Sequence, residues 1–292
     1  MKPIIVDWQI TSKCTRHCKF CYGPQEDQEM STADIFKMVD NFENIGVKVV
    51  GITGGEPLVK EDISEILKYI KGKGMAICLS TNGDLYRKNK DAILKYVDTI
   101  GIPIESATQD IHDSLRGDGS FESAKYMLED ISKNSDIKFR IGTVVTETNF
   151  RDLGNIEILL SKYKDSIIYW KLYEYIVYFP EKQNTTIRVK DKDKVLSIVD
   201  NLGKYLDKTS IIYDTLEKRN NSYFLIKPNG DVFVPILNND ATNENVIGNV
   251  LYEPEKVVEK WQNTIDPEGY TCSHRCIYRK NEQLRTKYID CV

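Results

Sequence analysis

Three cysteines near the N-terminus carry the clearest chemistry in this chain. Cys14, Cys18 and Cys21 stand at Cys-x3-Cys-x2-Cys spacing within CTRHCKFC. Three thiolates on one short loop can bind three irons of a cubane cluster and leave the fourth iron open. A closed zinc site wants four ligands, so zinc would need a remote fourth group such as His17, and the spacing alone leaves that reading open. A second group, Cys272, Cys276 and Cys291, lies near the other end, two of them crowded in Cys-Ser-His-Arg-Cys. That crowding favours metal over three ordinary thiols. Cys78 stands alone in an apolar run and reads as core. The sequence Gly54-Gly55-Glu56-Pro57 follows a β-branched run. Alone it reads as a tight turn ahead of a helix. At the C-terminal edge of a strand, it sits where barrel enzymes build their sites.

The elements that must position these groups alternate. Strands are expected at Ile4–Ile10, Val47–Thr53, Ala76–Thr81, Thr99–Ile104, Lys138–Val145 and Ile167–Tyr175, with helical patterns between them. Ser31 with Asp34 resembles a capping box and Gly46 a helix stop. Further helices are expected over Asp62–Lys71, Asp91–Tyr96, Phe121–Asn134 and Asp152–Tyr163. Strand-helix units of this kind imply a parallel sheet. Six of them predict an α/β fold, a partial (β/α)6 barrel rather than a closed eight-stranded one. The pattern changes in FPEKQNTT, so the chain divides into a barrel over 1–180 and a small α+β extension over 181–292. In the extension a helix is expected over Lys192–Leu206 and another over Pro254–Gln262. Tyr223–Pro228 and Asp231–Pro235 flank Asn229-Gly230, a hairpin signal.

Alternation in KFRIGTVV puts Lys138, Arg140, Gly142 and Val144 on one face, expected to line the barrel lumen. In YWKLYEY, Lys171, Tyr173 and Tyr175 share a face. A lumen presenting Arg140 and Lys171 suits an anionic substrate. The competing reading is that these cations pair with Glu105 or Glu174 or hold a cofactor carboxylate. Net charge is −4 and the pI is near 5.6, so no nucleic-acid footprint is expected. No apolar run approaches the ~20 residues of a membrane span, and the N-terminus lacks a signal-peptide pattern. A cytoplasmic location follows as the expectation, and in that reducing medium seven cysteines argue for metal or catalysis over disulfides.

The cysteine triad followed by GGEP, in this order and register, resembles the radical S-adenosylmethionine (SAM) superfamily over residues 1–180. The resemblance implies that Cys14, Cys18 and Cys21 hold a [4Fe–4S] cluster and that Phe20 is the motif's aromatic. It implies that Gly54, Gly55 and Glu56 face the SAM amino end. The resemblance further implies that Ser80 and Asn82, in the Ser80–Gly83 segment ending the third strand, face the SAM ribose or carboxylate. Glu105 stands where many relatives carry Asp. By the same resemblance Arg116, in HDSLRG, and Leu172, on the sixth strand, complete the cofactor-facing set; the competing reading of HDSLRG is a helix entry with Arg116 in a surface ion pair, and His17 and His112 are expected as polar loop residues rather than ligands. The implied activity is reductive SAM cleavage to a 5′-deoxyadenosyl radical that abstracts a substrate hydrogen, with a reductant such as flavodoxin or ferredoxin as partner.

FRIGTVVTETN, WKLYEY and SYFLI are similar to the corresponding segments of viperin, which acts on a nucleoside triphosphate, with Arg140, Lys171 and Tyr223 at the matching positions. CKFCYG departs from viperin's motif surroundings. Cys272, Cys276 and Cys291 resemble the auxiliary-cluster cysteines of the GTP-cyclising enzyme of molybdenum-cofactor synthesis, with each gap one residue longer, and the SPASM or Twitch extensions of peptide-modifying members. They could bind a second cluster. An anionic small molecule or nucleotide is therefore the leading substrate expectation. A ribosomally made short peptide is the alternative, although a first strand at Ile4–Ile10 leaves no expected leader-recognition module ahead of the barrel. A glycyl-radical activase and a non-catalytic iron–sulfur or zinc module are the remaining readings.

Overall fold

The computed structural model describes residues 2–24, 28–176, 185–238 and 241–270. Cys272, Cys276 and Cys291 lie outside the described residues. The barrel half is built from β1 (Ile5–Gln9), α1 (Thr32–Ile45), β2 (Val49–Thr53), α2 (Ile63–Gly72), β3 (Ala76–Ser80) and α3 (Tyr86–Tyr96). It continues through β4 (Thr99–Pro103), α4 (Gln109–Arg116), α5 (Ser120–Asn134), β5 (Lys138–Val145), α6 (Leu153–Ser161) and β6 (Ile167–Glu174). The later part contributes α7 (Lys192–Asp200), β7 (Ile211–Asp214), α8 (Leu216–Arg219), β8 (Leu225–Ile226), β9 (Asp231–Asn238), β10 (Ala241–Asn249) and α9 (Pro254–Thr264).

The sheet is open, in the order β10-β9-β8-β1-β2-β3-β4-β5-β6-β7. β1 to β7 are parallel, and β8 joins β1 in parallel. The expected partial barrel is therefore present. The sheet runs across the boundary near residue 180 at both of its ends. β8 and β9 form the hairpin that Asn229-Gly230 signals, pairing Leu225 with Phe233 and Ile226 with Val232.

Local signals explain the elements. In α1, Ser31 accepts from the Asp34 N–H at 3.2 Å, and Gly46 ends the helix at φ +92°. The helix buries Ile35, Met38, Val39, Phe42 and Ile45, one stripe at helical spacing. Strand β5 alternates as its sequence reads: Phe139, Ile141, Thr143 and Val145 are buried against the helices, while Arg140, Gly142 and Val144 stay partly exposed. Tyr270 and the turn after β10 tie the later part to the barrel, with Trp261 packed behind Tyr270. The Tyr270 hydroxyl accepts from Ile5 N at 2.8 Å and donates to Ile5 O at 2.9 Å. Trp261 is fully buried between the rings of Phe224 and Tyr270. Asn41 donates to the carbonyls of Val250 and Leu251.

Several elements differ from expectation for physical reasons. The expected helix over Lys192–Leu206 stops at Asp200 because the next turn serves another purpose: the N–H groups of Gly203, Tyr205 and Leu206 converge on one oxygen of the buried Glu157. Helix α3 starts at Tyr86, ahead of the expected Asp91, since Arg87 to Lys90 are polar and mask the period. Strands β7 and β10 are too short or too polar to read from alternation.

Candidate active site

The loop after β1 carries Cys14, Cys18 and Cys21 across the C-terminal ends of the strands. Its entry is held by the loop after β2. Gly55 N donates to Thr11 O at 2.7 Å and Glu56 N to Lys13 O at 2.8 Å. A Cβ on Gly54, where φ is +136°, would lie 2.4 Å from Thr11 O, and one on Gly55 would lie 2.2 Å from Lys13 O. The two glycines are thus required by a backbone-to-backbone approach that leads directly into Cys14. Gly55→Ala should lower unfolding stability by about 1–3 kcal/mol through overpacking and weaken iron retention; chemical unfolding curves and iron analysis check both.

Glu56 is fully buried. It accepts from Leu58 N at 3.0 Å, Thr81 Oγ1 at 2.7 Å and Asn82 N at 2.7 Å. Burial pushes its carboxyl up to about 7, against the pull of these three donors. Its side chain therefore braces the loops after β2 and β3 rather than opening to solvent. Asn82 turns its amide onto the cysteine loop, with Nδ2 2.9 Å from Thr15 Oγ1 and 3.8 Å from Cys14 Sγ.

Helix α4 closes the other side. Phe20 is buried with Leu115, Tyr175 and Ile187. Lys19 N donates to Leu115 O at 3.0 Å, and Cys18 Sγ lies 3.8 Å from Arg116 O. Arg116 pairs with Glu105 at 2.9 Å, the two side chains being 14% and 1% exposed, and its guanidinium sits 5.7 Å from the Phe20 ring centre. This corrects the surface ion pair otherwise expected of HDSLRG. Burial pushes the Glu105 carboxyl upward while Arg116 and the Val144 N–H pull it down. His112, expected as a polar loop residue, is buried in α4 and accepts from Glu105 N at 3.1 Å. Burial with Arg116 nearby pushes it down to about 3, so the ring is neutral.

The lumen below holds Arg140 and Lys171 as the alternation predicts. Neither pairs with Glu105 or Glu174. Lys171 lies 3.1 Å from Asp214 Oδ2 and 3.0 Å from the Tyr223 hydroxyl, and Arg219 Nε reaches the same Asp214 oxygen at 3.4 Å. Arg140 instead bonds neutral groups, Ser80 Oγ at 3.3 Å and the Tyr169 side chain. Ser80 is therefore engaged by Arg140 at the lumen wall. Gly101 leaves the room: a Cβ there would lie 2.9 Å from Ser80 Oγ and 3.3 Å from Arg140 Nη2. Leu172 turns its side chain away from the lumen. It is fully buried in the core between sheet and helices, because neighbouring residues of β6 point to opposite faces. Cys78 is buried with Ile5, Val49, Ala76, Ile168 and Tyr169, as a core residue.

Sequence reasoning missed Thr15, Arg16, Asp84, Asp214 and Arg219. The signal for Asp214 was the short run IIYD; Arg16 and Asp84 gave none. The cysteine loop fits a thiolate-bound cluster by its donor set. The thiols lie within electrostatic reach of one another, and Arg16 N and Gly23 N donate to Cys14 and Cys21 sulfur at 3.4 and 3.3 Å. Among the described residues no three His, Cys, Asp or Glu side chains gather around a single-ion position.

Comparison with known proteins places this geometry. The mycofactocin maturase of Mycolicibacterium smegmatis is 32% identical over 167 residues, 55% of this chain and 42% of the relative. An AdoMet-dependent heme synthase of Oleidesulfovibrio alaskensis is 29% identical over 159 residues, 51% of this chain and 41% of the relative. The matched stretch is thus less than half the length of these curated relatives. Among solved structures, Streptococcus suis SuiB bound to S-adenosylmethionine superposes with a TM-score of 0.68 at 18% identity, covering 98% of this chain and 70% of SuiB. SuiB has also been solved bound to the precursor peptide SuiA. That likeness concerns the fold. The Radical SAM superfamily profile matches residues 8–156, just over half of the chain; the chain belongs to the radical SAM superfamily, a family of enzymes that implies a [4Fe–4S] cluster and SAM.

Proposed function

We propose that this enzyme abstracts hydrogen from an anionic substrate whose acid group is held by Arg140, with Cys14, Cys18 and Cys21 as the cluster ligands. When bound, the cluster and SAM supply a carbon radical that takes a hydrogen atom from substrate. The protein's own work is to seat both groups and exclude water. Gly54 and Gly55 bring the loop after β2 against the entry to Cys14. Arg116 and Phe20 close the loop from the side of α4.

The observation that carries the substrate reading is Arg140. It is a partly buried guanidinium whose hydrogen-bond partners among the described residues are neutral. A buried cation without a counter-charge is costly, and an acid group of the substrate would complete it, bidentately if a carboxylate. Lys171 and Arg219 already share Asp214, which favours one acid group over a polyphosphate and weakens the nucleotide form of the reading. Tyr173 and Tyr223 flank the cations and offer aromatic faces to the rest of the substrate.

A peptide substrate is the second reading. The mycofactocin maturase match and the fold shared with SuiB favour it, and a peptide carboxylate would satisfy Arg140 equally. A second cluster on Cys272, Cys276 and Cys291, a flavodoxin or ferredoxin reductant and a cytoplasmic location belong to the same proposal. No helix among the described residues is long and apolar enough to cross a membrane.

Arg140→Ala tests the substrate reading. The SAM-loaded wild type should bind a member of a panel of nucleoside triphosphates, dicarboxylic acids and peptides with free or amidated C-termini. The variant should bind that member at least tenfold more weakly, about 1.4 kcal/mol, while keeping substrate-free SAM cleavage. Equal binding by both proteins would count against Arg140 as the anion site.

A further inference from the structure

The loop after β3 reaches past the SAM-facing role that its sequence suggests. Asn82 Oδ1 accepts from Asp84 N at 3.0 Å. This fixes the amide's orientation, so Nδ2 points away from Asp84 and toward Thr15 Oγ1 and Cys14 Sγ. Asp84 then grips the residues between Cys14 and Cys18. Its Oδ2 accepts from Thr15 Oγ1 at 2.8 Å, and its Oδ1 takes the Arg16 guanidinium and the Ser123 hydroxyl. Arg16 Nη1 donates onward to the carbonyls of Gly117 and Asp118 at 3.0 and 3.1 Å. The x3 span of the cysteine motif is thereby clamped to the β3 loop and to the turn between α4 and α5. Gly83 permits the approach: its φ is +89°, and a Cβ there would lie 3.2 Å from Ser123 O.

We infer that Asn82 and Asp84 are positioning residues for the cluster, with Asn82 tuning it through an N–H···S hydrogen bond to Cys14 and Asp84 holding the Thr15–Arg16 span. The inference rests on the reading that Cys14 ligates the cluster. A donor to a ligand sulfur stabilises the electron-rich reduced cluster and raises its potential. The bonding around Asp84 ties the Thr15–Arg16 span to the β3 loop through protein contacts.

The test uses the full chain, reconstituted anaerobically, with SAM left out so that effects on SAM binding do not enter. Asn82→Asp keeps the side chain's size and replaces the N–H donor with a carboxylate oxygen. It should keep the wild-type iron content while moving the cluster's midpoint potential negative in an EPR-monitored redox titration. A residue that only packs the loop would lower iron content without moving the potential of the clusters that remain. Asp84→Asn should speed iron release to a chelator at least threefold, and Asp84→Glu should recover part of the loss. An unchanged potential in Asn82→Asp overturns the tuning role, and unchanged iron release in Asp84→Asn overturns the clamp. Failure of the wild type to bind iron would instead defeat the underlying cluster reading, so the two failures are distinguishable.

Discussion

Replacing Cys14, Cys18 and Cys21 together with Ala should strip the anaerobically reconstituted protein of about four irons per chain and abolish 5′-deoxyadenosine formation from SAM under reductant. The expected loss is complete because no thiolate remains on the loop to hold iron. Folding should survive, since Cys14 and Cys21 are exposed and Cys18 only partly buried. The loop is also held independently by Gly55, Glu56, Asp84 and Leu115. A circular dichroism spectrum like that of the wild type would confirm that chemistry, not the fold, is lost. The companion triple variant at Cys272, Cys276 and Cys291 separates the two cysteine groups. If those residues bind a second cluster, about four further irons disappear while SAM cleavage persists. Retention of iron and of 5′-deoxyadenosine formation in the first variant would overturn the assignment of its cysteines. A single zinc per chain in the wild type would restore the zinc reading that spacing left open.

The barrel was legible because its signals are local. The alternation of KFRIGTVV, the Ser31 cap, the Gly46 stop and the turn at Asn229-Gly230 each depend on residues adjacent in sequence, and each is present where it was read. The cysteine loop and GGEP were legible as a pair for the same reason. What stayed hidden depends on contacts distant in sequence. Glu157 ends the helical turn after Asp200 from across α6 and α7. Asp214 neutralises Lys171 from a strand too short to show a period. Asp84 grips a loop 68 residues before it. Alternation could place Arg140 and Lys171 on one face, but not say that Lys171 has a counter-charge and Arg140 has neutral partners. That difference now separates the two cations as candidate substrate contacts.

Arg116→Ala should destabilise the fold by about 3–5 kcal/mol, the range for removing one partner of a buried pair. The cost arises because Glu105, 1% exposed, would keep its charge without the cation that offsets burial. The sign of the pH dependence provides a check. Burial already raises the Glu105 carboxyl, and Arg116 is the first of the groups holding it down. Without Arg116 its folded-state pKa rises further above the unfolded value. The folded state then binds an extra proton over a wider interval, so the variant's stability falls as pH rises through that interval and recovers as pH drops toward the ordinary carboxylate range. The gap between wild type and variant should therefore be wide in urea unfolding at pH 8 and narrower at pH 5. Adding Glu105→Gln to Arg116→Ala should recover part of the loss at pH 8, because the stranded charge is gone. A cost below about 1 kcal/mol, independent of pH, would mean that the pair behaves as an exposed one. The same variant reports on the active site. The Arg116 guanidinium also faces Phe20 and lies within electrostatic reach of Cys18 and Cys21. Arg116→Ala should therefore lose iron faster than wild type even at pH 5, where the fold itself is largely restored.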